Sequence, residues 1–288
     1  KKNTDVYSLE NLGDYRMQVT DHVWVMHYDD GATAHPGGSN NCFVGNPKKE
    51  MILIDTGDHE KEWLKRILDF HKELGSPQIT SILITHGHFD HIGGLDRLHE
   101  EFQCPVRCHP KLVKKLQKIV GEENVIPLKS RELLHIDDVT LRALFTPGHE
   151  VDHVCYYLRK DKVMFTGDSI LGSSSSTVQD LYNYMKSLRL LSKFKHTTIC
   201  PAHGKIVFPP RGGQLVSWYI NHREQREKEV MESLKKGITN TKEIVSDIYP
   251  RNLKKGLRDA AERNVRTHLA KLIKDGLVTE EPASFKLN

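Results

Sequence analysis

No run of about 18 consecutive apolar residues occurs anywhere in this 288-residue chain. A membrane-spanning helix is thereby excluded, and no membrane partner is expected. The opening stretch, KKNTDVYSLE, has none of the apolar core that a secretion signal needs. Cysteine is scarce as well: Cys42, Cys104, Cys108, Cys155 and Cys200 are odd in number and scattered. That pattern argues against a disulfide framework and for reduced thiols, so the expected compartment is the cytoplasm, or the mitochondrial matrix in a eukaryote. Cys104 and Cys108 form a single pair with no partner pair, which reads as buried packing.

An excess of charge of one sign is missing from most of the chain. Residues 1–210 hold 26 Lys and Arg against 27 Asp and Glu, whereas residues 211–288 hold 16 against 11. The net is −1 and then +5, so the basic excess lies in the tail. With 38% hydrophobic and 28% charged residues the composition is that of an ordinary globular protein. Its length suits one large domain, or a large and a small one.

Against that plain background stands THGHFDH, Thr85 to His91, directly behind the apolar Ile82, Leu83 and Ile84. His86 and His88, at i and i+2 on an extended end, point the same way and can grip one ion. Asp90 and His91 lie one turn further and face a second position. Imidazole and carboxylate are ligands that zinc and similar divalent ions accept. Gly87 keeps bulk from between the histidines, and Gly93 and Gly94 are expected to turn the backbone into the next helix. A solvated histidine-rich loop is the plain alternative. Four ligand-type residues in this order, closing an apolar run, weigh against it.

Taken in order, Val23 to Tyr28, Cys42 to Gly45, Met51 to Asp55 and Thr80 to Thr85 read as strands. AHPGGSNN, between the first two, is a turn cluster that forms either plain loop or a substrate-facing rim. Asp58 is placed to cap a helix with apolar positions Trp63, Leu64, Ile67, Leu68, Phe70 and Leu74. Leu95 to Phe102 and Pro110 to Val120 read as helices, with a short strand at Pro105 to His109. Leu133 to Phe145 gives a hairpin around Asp137 and Asp138 that ends in TPGH and presents His149. Val154 to Leu158 and Lys162 to Phe165 are a strand pair running into Thr166, Gly167 and Asp168. Lys195 to Cys200 leads likewise to Pro201, Ala202, His203 and Gly204. Four strand-to-loop junctions therefore deliver ligand-type residues, the usual way a rigid sheet presents chemistry.

THGHFDH, then TPGH, TGD and PAHG, in that order over roughly residues 20 to 210, resembles the metallo-β-lactamase fold superfamily. The resemblance implies an α/β protein, an αββα sandwich of two mixed sheets with the site along one edge. It implies two zinc ions, with other divalent ions as the alternative. His86, His88 and His149 would hold the first and Asp90, His91 and His203 the second, while Asp168 would bridge both. A narrower resemblance, to the β-lactamase-like protein 2 group of single-strand endoribonucleases, lies in Thr166 to Leu188, in GGSNNCFVG and in HREQR, His222 to Arg226. This chain departs from that group at the four serines Ser173 to Ser176. The group implies residues 1–212 as catalytic domain and residues 213–288 as a small C-terminal winged-helix-like domain.

Within that tail, Gln214 to Lys236, Thr241 to Ile248 and Asp259 to Lys274 read as helices, and LVTEE and SFKLN as wing strands. Between Arg251 and Lys274 eight basic residues face two acids. Such a face suits a phosphate backbone, or is a solvated helix surface.

Two such ions would lower the pKa of a shared water and make it the nucleophile, so no serine or cysteine nucleophile is needed. Asp90 can orient that water and take its proton. His153 is a candidate proton donor to the leaving oxygen, or a residue that supports Asp168. Asn40, Ser174 and Tyr182 are the substrate-facing set, Tyr182 through base stacking or as a core ring. The expected function is cleavage of phosphodiesters in single-stranded RNA. The alternatives are a small-molecule substrate, a thioester or β-lactam, and a binding protein with a dead site. The intact set of seven ligands weighs against the last. Oligomeric state has no signature in the sequence.

Overall fold

The computed structural model describes residues 13–173 and 175–281. Two sheets lie face to face. The first has seven strands in the order β1 (Tyr15–Thr20), β2 (Val23–Tyr28), β3 (Ser39–Gly45), β4 (Glu50–Ile54), β5 (Gln78–Leu83), β6 (Val106–Cys108) and β7 (Val125–Pro127). It is antiparallel as far as β4 and parallel beyond, with α1 (Lys61–Glu73) crossing from β4 to β5. The four-residue α2 (Phe89–Ile92), then α3 (Leu95–Phe102), lie between β5 and β6, and α4 (Val113–Val120) between β6 and β7. The second sheet holds β8 (Leu133–Ile136), β9 (Val139–Phe145), β10 (Val154–Leu158), β11 (Val163–Gly167) and β12 (Thr198–Pro201), side by side in chain order. Helix α5 (Leu181–Leu191) makes the one parallel crossover, β11 to β12.

The strand period of two explains the layering. Along β4, Ile52 and Ile54 point into the core between the sheets, while Met51 and Leu53 point toward α1. Along β10, Val154, Tyr156 and Leu158 enter the same inter-sheet core, while Cys155 and Tyr157 pack under α5. Strands buried on both faces read as unbroken apolar runs, which is why they were legible in the sequence. The αββα sandwich is therefore as expected. All five cysteines are buried and unpaired, and Cys104 and Cys108 sit in the helix-facing core.

Several local expectations are corrected. Strand β3 begins three residues before Cys42, because Ser39, Asn40 and Asn41 pair with Tyr28, His27 and Met26 of β2. Strands β1 and β7 had no apolar signal strong enough to mark them; β1 alternates in burial and β7 is mostly exposed. Asp58 does not cap α1: Glu60 is the N-cap, and Asp58 accepts instead from the neighbouring His59 amide. Gly93 and Gly94 turn the chain from α2 into α3 as expected, but at φ −63° and −92°, the values of an ordinary type I turn, so the turn itself does not demand glycine. Gly94 is needed for close approach, since a Cβ there would lie 2.4 Å from the Thr56 carbonyl oxygen.

Beyond the sandwich run α6 (Leu215–Lys235), α7 (Thr241–Ile248) and α8 (Lys255–Lys274). The first half of α6, with Leu215, Val216 and Tyr219, packs with α5 on the second sheet. Its far end, with Val230, joins Ile244, Val245, Ala261, Val265 and Leu272 in a separate small core. Residues 277–281 form no strand, and SFKLN lies outside the described residues. No helix among the described residues is long and apolar enough to cross a membrane.

Candidate metal centre

Four loops at one edge of the sandwich bring together every ligand-type residue the motifs contain. His86, His88, His149 and Asp168 form one group of donors, and Asp90, His91 and His203 a second, with the donor atoms of each group within 4.8 Å of one another. Asp168 faces both groups. Its Oδ2 lies 3.5 Å from His149 Nε2 and 3.8 Å from His86 Nε2, and its Oδ1 lies 3.4 Å from both His91 Nε2 and His203 Nε2. Only a glycine at 167 permits this placement. Its φ is +50°, and a Cβ there would meet His153 Nε2 at 2.6 Å.

Each of the five imidazoles spends its outer nitrogen on a protein partner. His91 Nδ1–H donates to Asp55 Oδ2 at 2.8 Å, His149 Nδ1–H to the Thr177 carbonyl at 2.7 Å, and His88 Nε2–H to Glu150 Oε1 at 2.7 Å. His203 Nδ1 pairs with Ser39 Oγ at 3.0 Å, and His86 Nδ1 with Thr85 Oγ1 at 3.1 Å. The Thr85 hydroxyl in turn donates to Asp55. The carboxylates and the carbonyl select the tautomers of His91, His88 and His149, and with a divalent ion bound all five inner nitrogens would present lone pairs to it. His86 Nε2, His91 Nε2 and Asp168 Oδ1 are buried with no hydrogen-bond partner. Orphaned acceptors from two separate segments aimed at one space are costly unless a cation fills it. The donor set, neutral imidazole plus carboxylate, therefore fits borderline divalent ions.

The electrostatics show an excess of carboxylate charge at the centre, which protonated His91 offsets where no metal ion does. Burial drives the pKa of His86 and His149 down, and for His86 the neighbouring imidazoles add to this. Burial also opposes the charge on His91, but Asp168 and Asp55 outweigh it and hold that imidazole well above its usual range. Burial disfavours ionised Asp90 and Asp168 too, yet contacts with His91 and His203 hold both carboxyls well below the usual range. The cavity is thus built around negative charge that needs a cation.

The other sequence-based candidates fare differently. His153 is fully buried; its Nε2 accepts from the Asp168 amide at 3.1 Å and its Nδ1 meets Thr146 Oγ1 at 2.8 Å. It supports the Asp168 loop, and with no exposure it cannot donate a proton to substrate. Asn40 is not a substrate contact either. Its amide nitrogen donates to the carbonyls of Pro201 and Gly204, both at 2.9 Å, and its Oδ1 meets His27 Nδ1 at 2.7 Å. Those bonds pin the loop that carries His203. Tyr182 is half-buried at the start of α5, with Lys186 and Lys274 ammoniums 4.3 and 4.4 Å from its ring centre. Its π surface already holds two cations, which corrects the base-stacking expectation. Ser174 lies outside the described residues.

Three site residues escaped the sequence reading. Asp55, buried at φ +61° just past β4, accepts from Thr85 N at 2.8 Å and from His91, and so orients both strand end and ligand. His35 lies within the turn cluster. Its Nδ1 is 2.7 Å from Asp30, its Nε2 3.5 Å from Asp90 Oδ2, and its ring stacks on that of His203 at 5.4 Å. Glu150 orients His88. An acid closing an apolar strand, as Asp55 does, was the one available signal.

Residues 35–203 match the family described as the metallo-beta-lactamase superfamily, and residues 241–286 match the beta-lactamase associated winged helix domain. The chain is 31% identical over 281 residues to a protein named Beta-lactamase-like protein 2 homolog from Caenorhabditis elegans, covering 96% of this chain and 90% of that one. It is 32% identical to a lactamase-like protein of an Aspergillus species, covering 84% and 76%. Among solved structures, a beta-lactamase domain protein from Burkholderia ambifaria superposes with a TM-score of 0.73 at 17% identity, covering 93% and 91%. A metallo-beta-lactamase family protein from Thermus thermophilus gives 0.67 at 21%, covering 88% and 94%. These two likenesses concern the fold.

Proposed function

The chain belongs to the metallo-β-lactamase superfamily, with a C-terminal winged helix domain, and is a metal-dependent hydrolase; from that premise we propose that it is a dinuclear zinc endoribonuclease acting on single-stranded RNA. The observation that carries the dinuclear reading is Asp168, one carboxylate with each oxygen facing a different histidine group. His86, His88 and His149 would hold one ion, Asp90, His91 and His203 the other, and Asp168 both. Divalent ions held there would supply an ionised water at neutral pH and offset the negative charge on the oxygens of the attacked phosphate.

The chain's own residues do the rest. Asp90 Oδ2, 3.0 Å from His203 Nε2, is kept ionised and can orient the attacking water by accepting a hydrogen bond from it. His35, anchored on Asp30, keeps that carboxylate turned toward the cavity. Asp55, Glu150 and the Thr177 carbonyl hold three imidazoles in one tautomer, which preorganises the site.

Three things support RNA as the substrate: the likeness to the protein 2 homolog, the winged helix match and the +5 excess of residues 211–288. Arg251, Lys254, Lys255 and Arg263 face solvent at least in part, but Lys271 is tied to Glu227 and Asp275 at 2.8 and 2.7 Å and belongs to the packing between α8 and α6. The second reading is a hydrolase of thioesters or β-lactams, and the lactamase-like names of fungal relatives favour its β-lactam form. Zinc-loaded protein given single-stranded RNA, a thioester and a chromogenic cephalosporin side by side decides between them. Phosphodiester cleavage of RNA well above the other two rates is expected; cephalosporin or thioester hydrolysis with intact RNA would replace the nuclease reading by the second one.

A further inference from the structure

One flank of α6 presents a row of flat and cationic groups that the metal centre does not engage. Trp218 is 54% exposed, and its indole lies parallel to the exposed His222 imidazole, with ring centres 5.0 Å apart and planes 4° from coplanar. One turn further, the Arg226 guanidinium lies over the Tyr249 ring, 4.3 Å from its centre. Residues 218, 222 and 226 stand at i, i+4 and i+8 and so share one face, a row of roughly 12 Å at the rise of a helix.

A single exposed indole needs no explanation. Two rings locked parallel in solvent, followed on the same face by a guanidinium stacked on a third ring, have the geometry of a stacking platform. The surrounding chemistry narrows the partner. No Asp or Glu occurs from Arg211 to Arg223, and Gln214, Asn221 and Gln225 are exposed beside the rings. Amides both donate and accept hydrogen bonds, as base edges do, and the absence of acid around Trp218 and His222 removes repulsion of phosphate there; at the far end Arg226 is paired with Glu229 at 2.7 Å and offers its stacked plane rather than a free charge. The neighbouring positions place this flank next to the centre: the Tyr219 hydroxyl lies 3.2 Å from the backbone of Leu171, and Arg223 donates to the Ser176 carbonyl. A strand on the outer flank would run about one helix diameter, some 10–12 Å, from the loop that follows Asp168.

We propose that the Trp218, His222 and Arg226 face of α6 binds single-stranded nucleic acid by base stacking and leads the strand toward the metal centre. Single-stranded RNA is the strand named because this inference rests on the nuclease reading above. A second copy of the chain is the competing occupant, and a wide apolar patch, which this face lacks, would have favoured it.

The test uses the full-length chain, a 12-nucleotide oligouridylate as probe, and EDTA so that nothing is cut. Indole fluorescence should be quenched to saturation on titration. Trp63 is buried, and the quench should be lost in Trp218→Phe although the labelled strand still binds by anisotropy. Trp218→Ala and His222→Ala should each weaken binding about 5- to 150-fold, with unchanged thermal unfolding because both side chains are exposed. No binding by the wild type, or equal affinity in Trp218→Ala, overturns the proposal. So does a concentration-dependent dimer in sedimentation that Trp218→Ala dissolves while no strand binds. Metal-loaded protein separates this from the nuclease reading. RNA cleavage with KM unchanged in both variants removes the platform and keeps the nuclease, whereas specific binding without cleavage keeps the platform and removes the nuclease.

Discussion

The Arg223 guanidinium, nearly buried in α6, donates to the Ser176 carbonyl at 2.9 Å and to Asn264 Oδ1 of α8 at 2.8 Å. Ser176 belongs to the loop whose next carbonyl, that of Thr177, receives His149 Nδ1–H, and the Ser176 hydroxyl donates to the Asp168 carbonyl. One side chain thus connects the C-terminal helices to the loop behind two ligand-type residues. Arg223→Gln is expected to weaken divalent-ion affinity about tenfold, with Arg223→Lys partway between. Zinc titration against a chelating dye checks this; loss of thermal stability with unchanged affinity would confine Arg223 to packing.

Asp55 never reaches the cavity, yet it holds His91 and the Thr85 strand end. Asp55→Asn keeps the size but takes away the carboxylate that polarises the imidazole, and should cost about 10- to 100-fold in metal affinity at the His91 group. Equilibrium dialysis with zinc would show unchanged occupancy if the aspartate were only a turn residue.

Asp168→Ala should reduce zinc binding from about two ions per chain to well below one, because the lost carboxylate faces both groups. Elemental analysis of protein purified without chelator gives the count. Loss of a single ion would remove the shared-ligand assignment. Circular dichroism should stay native, since the sheets are held by apolar burial.

His268 of α8 is fully buried with both ring nitrogens unpartnered, and burial, together with Arg223, Arg226 and Lys271, pushes its pKa down to about 3. The unfolded chain takes up the proton near pH 6.5 and the folded one does not, so stability falls as pH drops below 6.5. The slope is roughly 1.4 kcal/mol per pH unit, or about 2 kcal/mol by pH 5. Other buried histidines add to the wild-type slope, so the comparison is with His268→Leu, whose urea-unfolding free energy should fall less steeply by that amount. Parallel curves for the two proteins would clear His268 of the acid sensitivity.

Neutralising Arg251, Lys254, Lys255 and Arg263 together should weaken RNA cleavage and flatten its dependence on salt, because each phosphate contact releases counterions. A small ester at the same metals should be cut at an unchanged rate. Lys271→Ala should instead lower the unfolding temperature, since its ammonium sits between Glu227 and Asp275. Equal loss on both substrates would assign the four bases to holding the domains together.

Much of the fold was readable because β4, β10 and β11 are covered on both faces and so appear as nearly unbroken apolar runs, while β5 and β11 run straight into ligand-type residues. Strands β1 and β7 lie at the outer edges of their sheet, where burial is partial and composition carries little signal. The polar start of β3 carries no strand signal in the sequence, because Asn40 and Asn41 are kept buried by bonds to Pro201, Gly204 and Asp55, partners that a local pattern cannot contain.

The seven ligand-type residues were determined by sequence alone, since their spacing on strand ends is local and survives without a fold. Which residues hold them was decided only in three dimensions. Asp55 and His91 are 36 positions apart, and Arg223 and Ser176 are 47 apart. A hydrogen bond depends on distance in space, and sequence periodicity reports only the face on which a residue lies. For the same reason His153 and Asn40, chosen for nearness to motifs, became supports inside the protein, while His35, hidden in a turn cluster, came to stand beside Asp90.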